Sequence, residues 1–228
     1  MIAASLAAAL AALVVANVLN NRLVPRWYLV TSLGTTALLL VLYRWAGAPW
    51  GDAGLGRDAL PGAVRGLVLV ALVALVCLVG ALLPATRAVF RDRRVRGASR
   101  ADVAYQVLVR IPLGTVVLEE VAFRGVLYGL LRHWYGVPWA TVVSSALFGL
   151  WHVLPSTALV RDNPVAGRVF DRRRALLLPA TVLATALAGA VLCEAQRRTG
   201  SLLTPVALHW AANGLGYLTA YLVSRRLP

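Results

Sequence analysis

Lysine is absent from this chain of 228 residues, so all 23 of its basic side chains are arginines, set against only nine acids. Charged residues make up 14% of the chain, too few to give a soluble globule of this size its polar shell. There are two cysteines, Cys77 and Cys193, with no CxxC spacing, which excludes a disulfide framework and a metal knuckle and leaves them as small core residues. No internal repeat, low-complexity tail or connection long enough to fold alone is present. Solenoids and soluble appended domains are therefore excluded, and any chemistry must reside in the apolar segments.

Those segments dominate the sequence. Hydrophobic residues make up 60% of the chain and the mean hydropathy is +0.74. Seven apolar runs, near 2–19, 27–43, 64–83, 112–131, 137–154, 175–193 and 202–223, approach the length of about 20 residues that crosses a bilayer, and the fourth either starts near Pro112 or extends back through Arg110 toward Asp102. The first run has no basic residue before it and reads as a span rather than a signal peptide. With no water in the bilayer core to satisfy the backbone, the expected fold is all-α: a polytopic transmembrane helical bundle of about seven spans. Residues 1–103 are expected to form N-terminal membrane helices with a basic cytoplasmic loop, and 104–228 the membrane core that carries the intramembrane polar residues, within one integral membrane domain.

A net charge of +14 invites a nucleic-acid reading. The arginines, however, cluster between the apolar runs, where guanidinium groups meet lipid phosphates, so anionic lipids are the expected partner and nucleic acid is not. If the spans alternate, fifteen arginines fall on one side, among them Arg22, Arg26, Arg87–Arg100, Arg161–Arg174, Arg225 and Arg226, against six on the other. The positive-inside bias then places the arginine-rich side in the cytoplasm and the N-terminus outside, in a multi-pass inner (plasma) membrane protein.

Against this background the intramembrane polar residues stand out, because an ionised side chain at the centre of a membrane helix costs about 2.5–3.5 kcal/mol on insertion scales. Two of the three glutamates, Glu119 and Glu120, are adjacent in the fourth run, and two of the three histidines, His152 and His209, lie in the fifth and seventh. Glu120 and Arg124 stand one turn apart with the acid first, the favourable order, and are expected to neutralise each other. Glu119 is rotated about 100° away and has Phe123 one turn on, so its carboxylate is left for other work. Phe148 and His152 share a face of the fifth span, as His209 and Asn213 do of the seventh. All lie at depths that allow convergence in the cytoplasmic half of the bilayer.

A carboxylate in an apolar pocket is a usable general base, and a neighbouring imidazole can hold the water it activates. A second imidazole and a carboxamide suit a developing oxyanion. Glu119, His152, His209 and Asn213 therefore suffice to hydrolyse an acyl bond with no serine or cysteine nucleophile. Glu119, His152 and His209 are also three acceptable ligands for a divalent metal such as zinc. No HExxH is present, and the glutamate route requires no cofactor.

In order, EExxxR at Glu119, Glu120 and Arg124, FxxxH at Phe148 and His152, and HxxxN at His209 and Asn213 resemble the CPBP family of intramembrane glutamic endopeptidases, also called the CAAX prenyl protease 2 or Abi family. The resemblance covers about 107–223. It implies an endopeptidase with Glu119 as general base, His152 as its partner on the water, His209 and Asn213 as oxyanion stabilisers, and Glu120, Arg124 and Phe148 as structural support. It also implies a membrane-associated protein or peptide as substrate. Eukaryotic relatives trim prenylated CAAX proteins, while some bacterial relatives act in bacteriocin immunity or process other peptides. The alanine-rich, arginine-only composition resembles that of a high-GC bacterium, so substrate and oligomeric state stay open.

The competing class is a non-enzymatic membrane protein, either a proton-coupled transporter using the Glu and His residues as a relay or an immunity or scaffold protein. A transporter of the repeat type should show two related halves, and none is visible. Gly125 with Gly129, and Ser145 with Gly149, are small-residue pairs that predict close helix packing. His133, Trp134, Tyr135, Trp139, Trp27 and Tyr28 read as interfacial anchors, and Glu194 with Arg197 and Arg198 as a surface ion pair.

Overall fold

The computed structural model describes residues 2–57, 59–156, 162–163 and 174–226, and among these there is no β-strand. Among the described residues five stretches are long and apolar enough to cross a bilayer: Ile2–Leu23 (α1), Pro25–Ala46 (α2), Ala59–Leu82 (α3), Arg100–Ser156 and Ala175–Thr199. The fourth is two limbs. Gly136, at φ 82° and ψ 171°, breaks the helical path in a conformation that side chains disfavour, and Pro138 then sits in the first turn of the next limb. The limbs 100–135 (α4) and 137–156 (α5) lie antiparallel, since Ser144 Oγ donates to the Phe123 carbonyl at 2.6 Å and Trp151 Nε1 reaches Glu119 at 3.0 Å. Ala175–Thr199 is then α6. Residues 203–226 form a last continuous helix, α7. It is not among the five because His209 and Asn213 lower its hydropathy.

Neighbouring contacts show that the limbs alternate in direction, as a polytopic bundle requires. Tyr28 meets Thr115 (3.0 Å) and Tyr43 lies against Gly129, so α2 and α4 are parallel. Gly62 and Gly66 of α3 lie against Ser201 and Thr204, and Leu78 and Leu82 share a groove with Leu215 and Leu222, so α3 and α7 are parallel too. A Cβ on Gly149 would lie 2.6 Å from the Val182 carbonyl oxygen, and one on Gly189 3.2 Å from Ser145 Cα. The small-residue pair of α5 thus does admit α6 at close range, antiparallel to it. Of the α4 pair, Gly129 makes the close approach, while at Gly125 the nearest atom is 3.5 Å away.

The core follows α4. Leu118, Ala122, Phe123, Val126, Leu127 and Leu130 are buried against Leu13, Leu39 and Tyr43 of the first two helices. Outward, α6 presents Leu183, Leu187 and Val191, each exposed and one turn apart, a stripe that only lipid solvates without cost. Trp27, Trp134, Tyr135 and Trp139 are likewise exposed near helix ends.

Of the two starts the sequence allows for the fourth span, α4 takes the longer: it begins at Arg100, where Ser99 and Asp102 form a reciprocal capping box. Pro112 is carried within widened, i→i+5 turns over Gln106–Val116. The end of the bundle holding the α1–α2 turn, the 83–99 connection and the end of α7 carries Arg22, Arg26, Arg87–Arg100 and Arg225. The arginines expected at 161, 168, 172 and 173 lie outside the described residues.

Candidate active site

Each polar residue singled out on α4, α5 and α7 faces one point between these helices. Glu119 and Glu120 occupy a single ordinary helical turn, Val117–Glu120, between two widened segments, Gln106–Val116 and Val121–Leu127. Asn213 lies in a third, Ala211–Leu215. Such turns displace side chains from the regular period and recur where a helix presents functional groups.

Glu119 is 5% exposed. Its Oε1 accepts a hydrogen bond from Trp151 Nε1 at 3.0 Å. Its Oε2 has no direct hydrogen-bond partner and stands 3.9 Å from His152 Nε2 and 3.9 Å from His209 Nε2. The spacing is too long for a direct hydrogen bond and of the size that one intervening group bridges.

The two imidazoles are held differently. His152 Nδ1 lies 2.8 Å from the Phe148 carbonyl oxygen, which can only accept, so Nδ1 carries the proton and Nε2 presents a lone pair towards Glu119. His209 Nδ1 lies 2.6 Å from Glu120 Oε1. A carboxylate there likewise fixes the proton on Nδ1, so that the neutral ring accepts from Asn213 Nδ2 at 3.0 Å through Nε2. Asn213 retains a second N–H.

Spacing predicts that Glu120 and Arg124 form a closed pair. They do pair, at 3.1 Å and both fully buried, but the same Glu120 Oε1 also receives His209. Glu120 therefore links the buried cation of α4 to the imidazole of α7. Arg124 lies with Cζ 3.9 Å above the Phe148 ring. That ring also meets Phe123, His152 and His209 edge-on, at centroid distances of 5.2, 4.6 and 6.0 Å. One aromatic side chain thus fixes the positions of a guanidinium and both imidazoles.

Two contacts escaped the sequence reading. Trp151 is a direct partner of Glu119, and its only sequence signal is adjacency to His152. Gln196 of α6, 1% exposed, donates to the Arg124 carbonyl at 3.0 Å, within the widened turns of Val121–Leu127. Outside the site, His133 bonds Asp52 at 3.0 Å beside Arg132 as well as stacking on Trp134, and Glu194 takes both Arg197 and Arg198 at 2.6 Å.

As to a metal, no group of three or more His, Cys, Asp or Glu side chains among the described residues is arranged to hold one. Tetrahedral zinc with ligands at about 2.0–2.1 Å sets its donor atoms about 3.3–3.4 Å apart. Glu119 Oε2 is 3.9 Å from each imidazole nitrogen, and His209 Nε2 is already engaged by Asn213. The donor set does not fit the ion in this arrangement.

Neither a curated protein nor a solved structure matches the chain. Over residues 102–215, half of its length and the part that contains every residue of this site, it matches the type II CAAX prenyl endopeptidase Rce1-like family. An intramembrane cluster of Glu, His, His and Asn on α4, α5 and α7 lies inside the matched region, and the chain is a polytopic membrane protein that belongs to the Rce1-like family of type II CAAX prenyl endopeptidases.

Proposed function

We propose that the protein hydrolyses a peptide bond of a membrane-associated protein or peptide with a water activated by Glu119. The observation that carries this reading is the placement of Glu119 Oε2, buried and without a direct partner, 3.9 Å from the Nε2 atoms of both His152 and His209. A water between Glu119 Oε2 and His152 Nε2 donates one proton to each and turns its oxygen lone pair towards the substrate carbonyl. On attack, Glu119 takes a water proton and the carbonyl oxygen becomes an oxyanion. The free N–H of Asn213 stabilises it, with the amide held in place by its other N–H on His209 Nε2 and His209 held in turn by Glu120. Collapse breaks the C–N bond as the proton held by Glu119 passes to the leaving nitrogen. Trp151 fixes the carboxylate's other oxygen and so its direction.

This route uses only the chain's own residues and no metal. The arginine-rich end is the cytoplasmic one in this reading, with the N-terminus outside a bacterial inner membrane and anionic lipids against the arginines. The family name points to substrates processed near a prenylated C-terminus, and an alanine-rich, arginine-only sequence favours a different membrane-anchored peptide.

The test is proteolysis of membrane-anchored reporters by purified wild-type protein and by Glu119→Gln, with a chelator arm. Glu119→Gln should accumulate in the membrane, unfold at the wild-type temperature and cut at least a thousandfold more slowly, while the chelator leaves the wild type active. A Glu119→Gln variant that cuts at the wild-type rate overturns the assignment, and loss of activity on chelation overturns the metal-free route.

A further inference from the structure

α1 supplies no side chain to the reacting centre, yet it reaches the backbone that carries it. Asn17 Nδ2 donates to the Trp151 carbonyl at 3.0 Å, across 134 positions of the chain. The sequence leaves that carbonyl without a helical partner. Its i→i+4 donor would be residue 155, a proline, which has no N–H and whose ring pushes against the carbonyl four residues back. The backbone bends where this predicts. His152, at φ −80° and ψ 0°, donates its N–H to the Gly149 carbonyl at 3.1 Å, one residue short of the α-helical acceptor Phe148. The Ser156 N–H then resumes the helical pattern on the His152 carbonyl at 2.9 Å.

Two carbonyls are turned to side chains in this bend. Phe148 accepts from His152 Nδ1 at 2.8 Å, the contact that fixes the imidazole tautomer, and Trp151 accepts from Asn17. Asn17 is itself oriented, because Asn21 Nδ2 donates to its Oδ1 at 2.7 Å and to its backbone carbonyl at 2.9 Å, which leaves the N–H side of the amide for α5. This end of α1 is also tied to α2. Asn20 Nδ2 donates to Ser32 Oγ at 3.1 Å, and Thr31 Oγ1 donates to Asn20 Oδ1. The anchor therefore holds the two consecutive residues, Trp151 and His152, whose side chains flank the Glu119 carboxylate.

We propose that Asn17 is a positioning residue for peptide hydrolysis: it holds the Pro155 bend of α5 in the form that aims Trp151 at Glu119 Oε1 and keeps the His152 proton on Nδ1. The inference rests on the proteolytic reading of the site. Without the Asn17 amide the Trp151 carbonyl is left unpaired, and the bend is no longer held in one form. The His152 backbone N–H then competes for the Phe148 carbonyl, and the imidazole loses the contact that sets which nitrogen carries its proton. Asn17 touches neither substrate nor water, and it acts through the backbone of α5 alone.

The test joins kinetics on membrane-anchored reporters with nitrogen NMR of protein labelled in its three histidines, at a pH where the rings are neutral, His152 being assigned through His152→Ala. Asn17→Leu should lower kcat about three- to tenfold, the span of one hydrogen bond, with KM within about twofold of wild type, and Asn17→Gln, which keeps a carboxamide, should recover part of the loss. The wild-type His152 signals should be those of the Nδ1-protonated ring and the Asn17→Leu signals those of mixed tautomers, a readout that a packing role leaves unmoved. Pro155→Ala carries the same test should Asn17→Leu fail to fold. It gives residue 155 an N–H for the Trp151 carbonyl, straightens α5, and should melt no lower than wild type while lowering kcat and mixing the tautomers. In whichever variant folds, a kcat within about twofold of wild type or an unchanged His152 tautomer overturns the inference. A wild type that cuts no reporter refutes the proteolytic reading instead, and the tautomer alone then decides whether Asn17 positions His152.

Discussion

Replacing Glu120 with glutamine keeps the size and the hydrogen-bonding oxygen of the side chain and removes only its charge. The consequence follows from what surrounds it. Arg124 and Glu120 are both completely buried, 3.1 Å apart, and Arg124 Nε and Nη2 have no other hydrogen-bond partner. An arginine does not escape by deprotonation, so Glu120→Gln leaves an uncompensated cation in an apolar helix bundle. Breaking a buried pair in this way costs about 3–5 kcal/mol. The Phe148 face, 3.9 Å from Arg124 Cζ, is present in both proteins and so does not change the difference. For a chain of this size 1 kcal/mol moves Tm by about 2–4 °C, so a loss of about 3–5 kcal/mol lowers the unfolding temperature of Glu120→Gln by about 6–20 °C.

Tryptophan fluorescence on heating in detergent reads this directly. Two companions sharpen the test. Glu119→Gln removes a charge that no cation neutralises, and Trp151 Nε1 still finds an oxygen there, so its Tm should equal or exceed that of the wild type. Adding Arg124→Met to Glu120→Gln removes the orphaned cation and should recover a large part of the loss, a coupling that independent sites do not show. A Glu120→Gln protein that melts with wild type, or a double variant less stable than either single one by the full sum, refutes the assignment of Glu120 as the counter-charge of Arg124.

Two further outcomes follow from single contacts. Trp151→Phe removes the indole N–H that aims Glu119 while keeping an aromatic ring against Phe123, so kcat should fall about tenfold with KM and Tm nearly unchanged, and a parallel fall in Tm would make the residue one of packing alone. Gly149→Ala places a Cβ 2.6 Å from the Val182 backbone oxygen and 3.0 Å from the Ala186 Cβ, and should cost about 1–3 kcal/mol as α5 and α6 are forced apart, whereas Gly34→Ala, with nothing within 4 Å, should be neutral or stabilising.

The parts of the molecule legible in the sequence are those that depend on local spacing. Apolar run length revealed the helices, because lipid allows little else, and the period of 3.6 residues placed Glu120 with Arg124, Phe148 with His152 and His209 with Asn213 on shared faces. Contacts across helices were not legible. That His209 reaches Glu120, that Trp151 reaches Glu119 and that Phe148 lies over Arg124 all depend on how α4, α5 and α7 are rotated. Rotation is set by packing and by the widened turns, neither of which leaves a mark at fixed spacing. The start of α4 stayed open for the same reason: the capping box at Ser99 begins the helix, and i→i+5 turns carry it through Pro112.

The adjacent glutamates show how one pair of identical residues is given two different environments. Side by side on one helix turn, their side chains diverge by about 100°. Glu120 then meets Arg124 and His209, and its charge is consumed in holding α7 against α4. Glu119 meets an indole N–H on one oxygen and leaves the other between two imidazole nitrogens, near them but bonded to neither. Moving the arginine one position earlier would set the cation one turn from Glu119 instead and leave Glu120 without it. In the proposed route the first glutamate is free to act as the base because the second, four residues before the arginine, holds the Arg124 guanidinium.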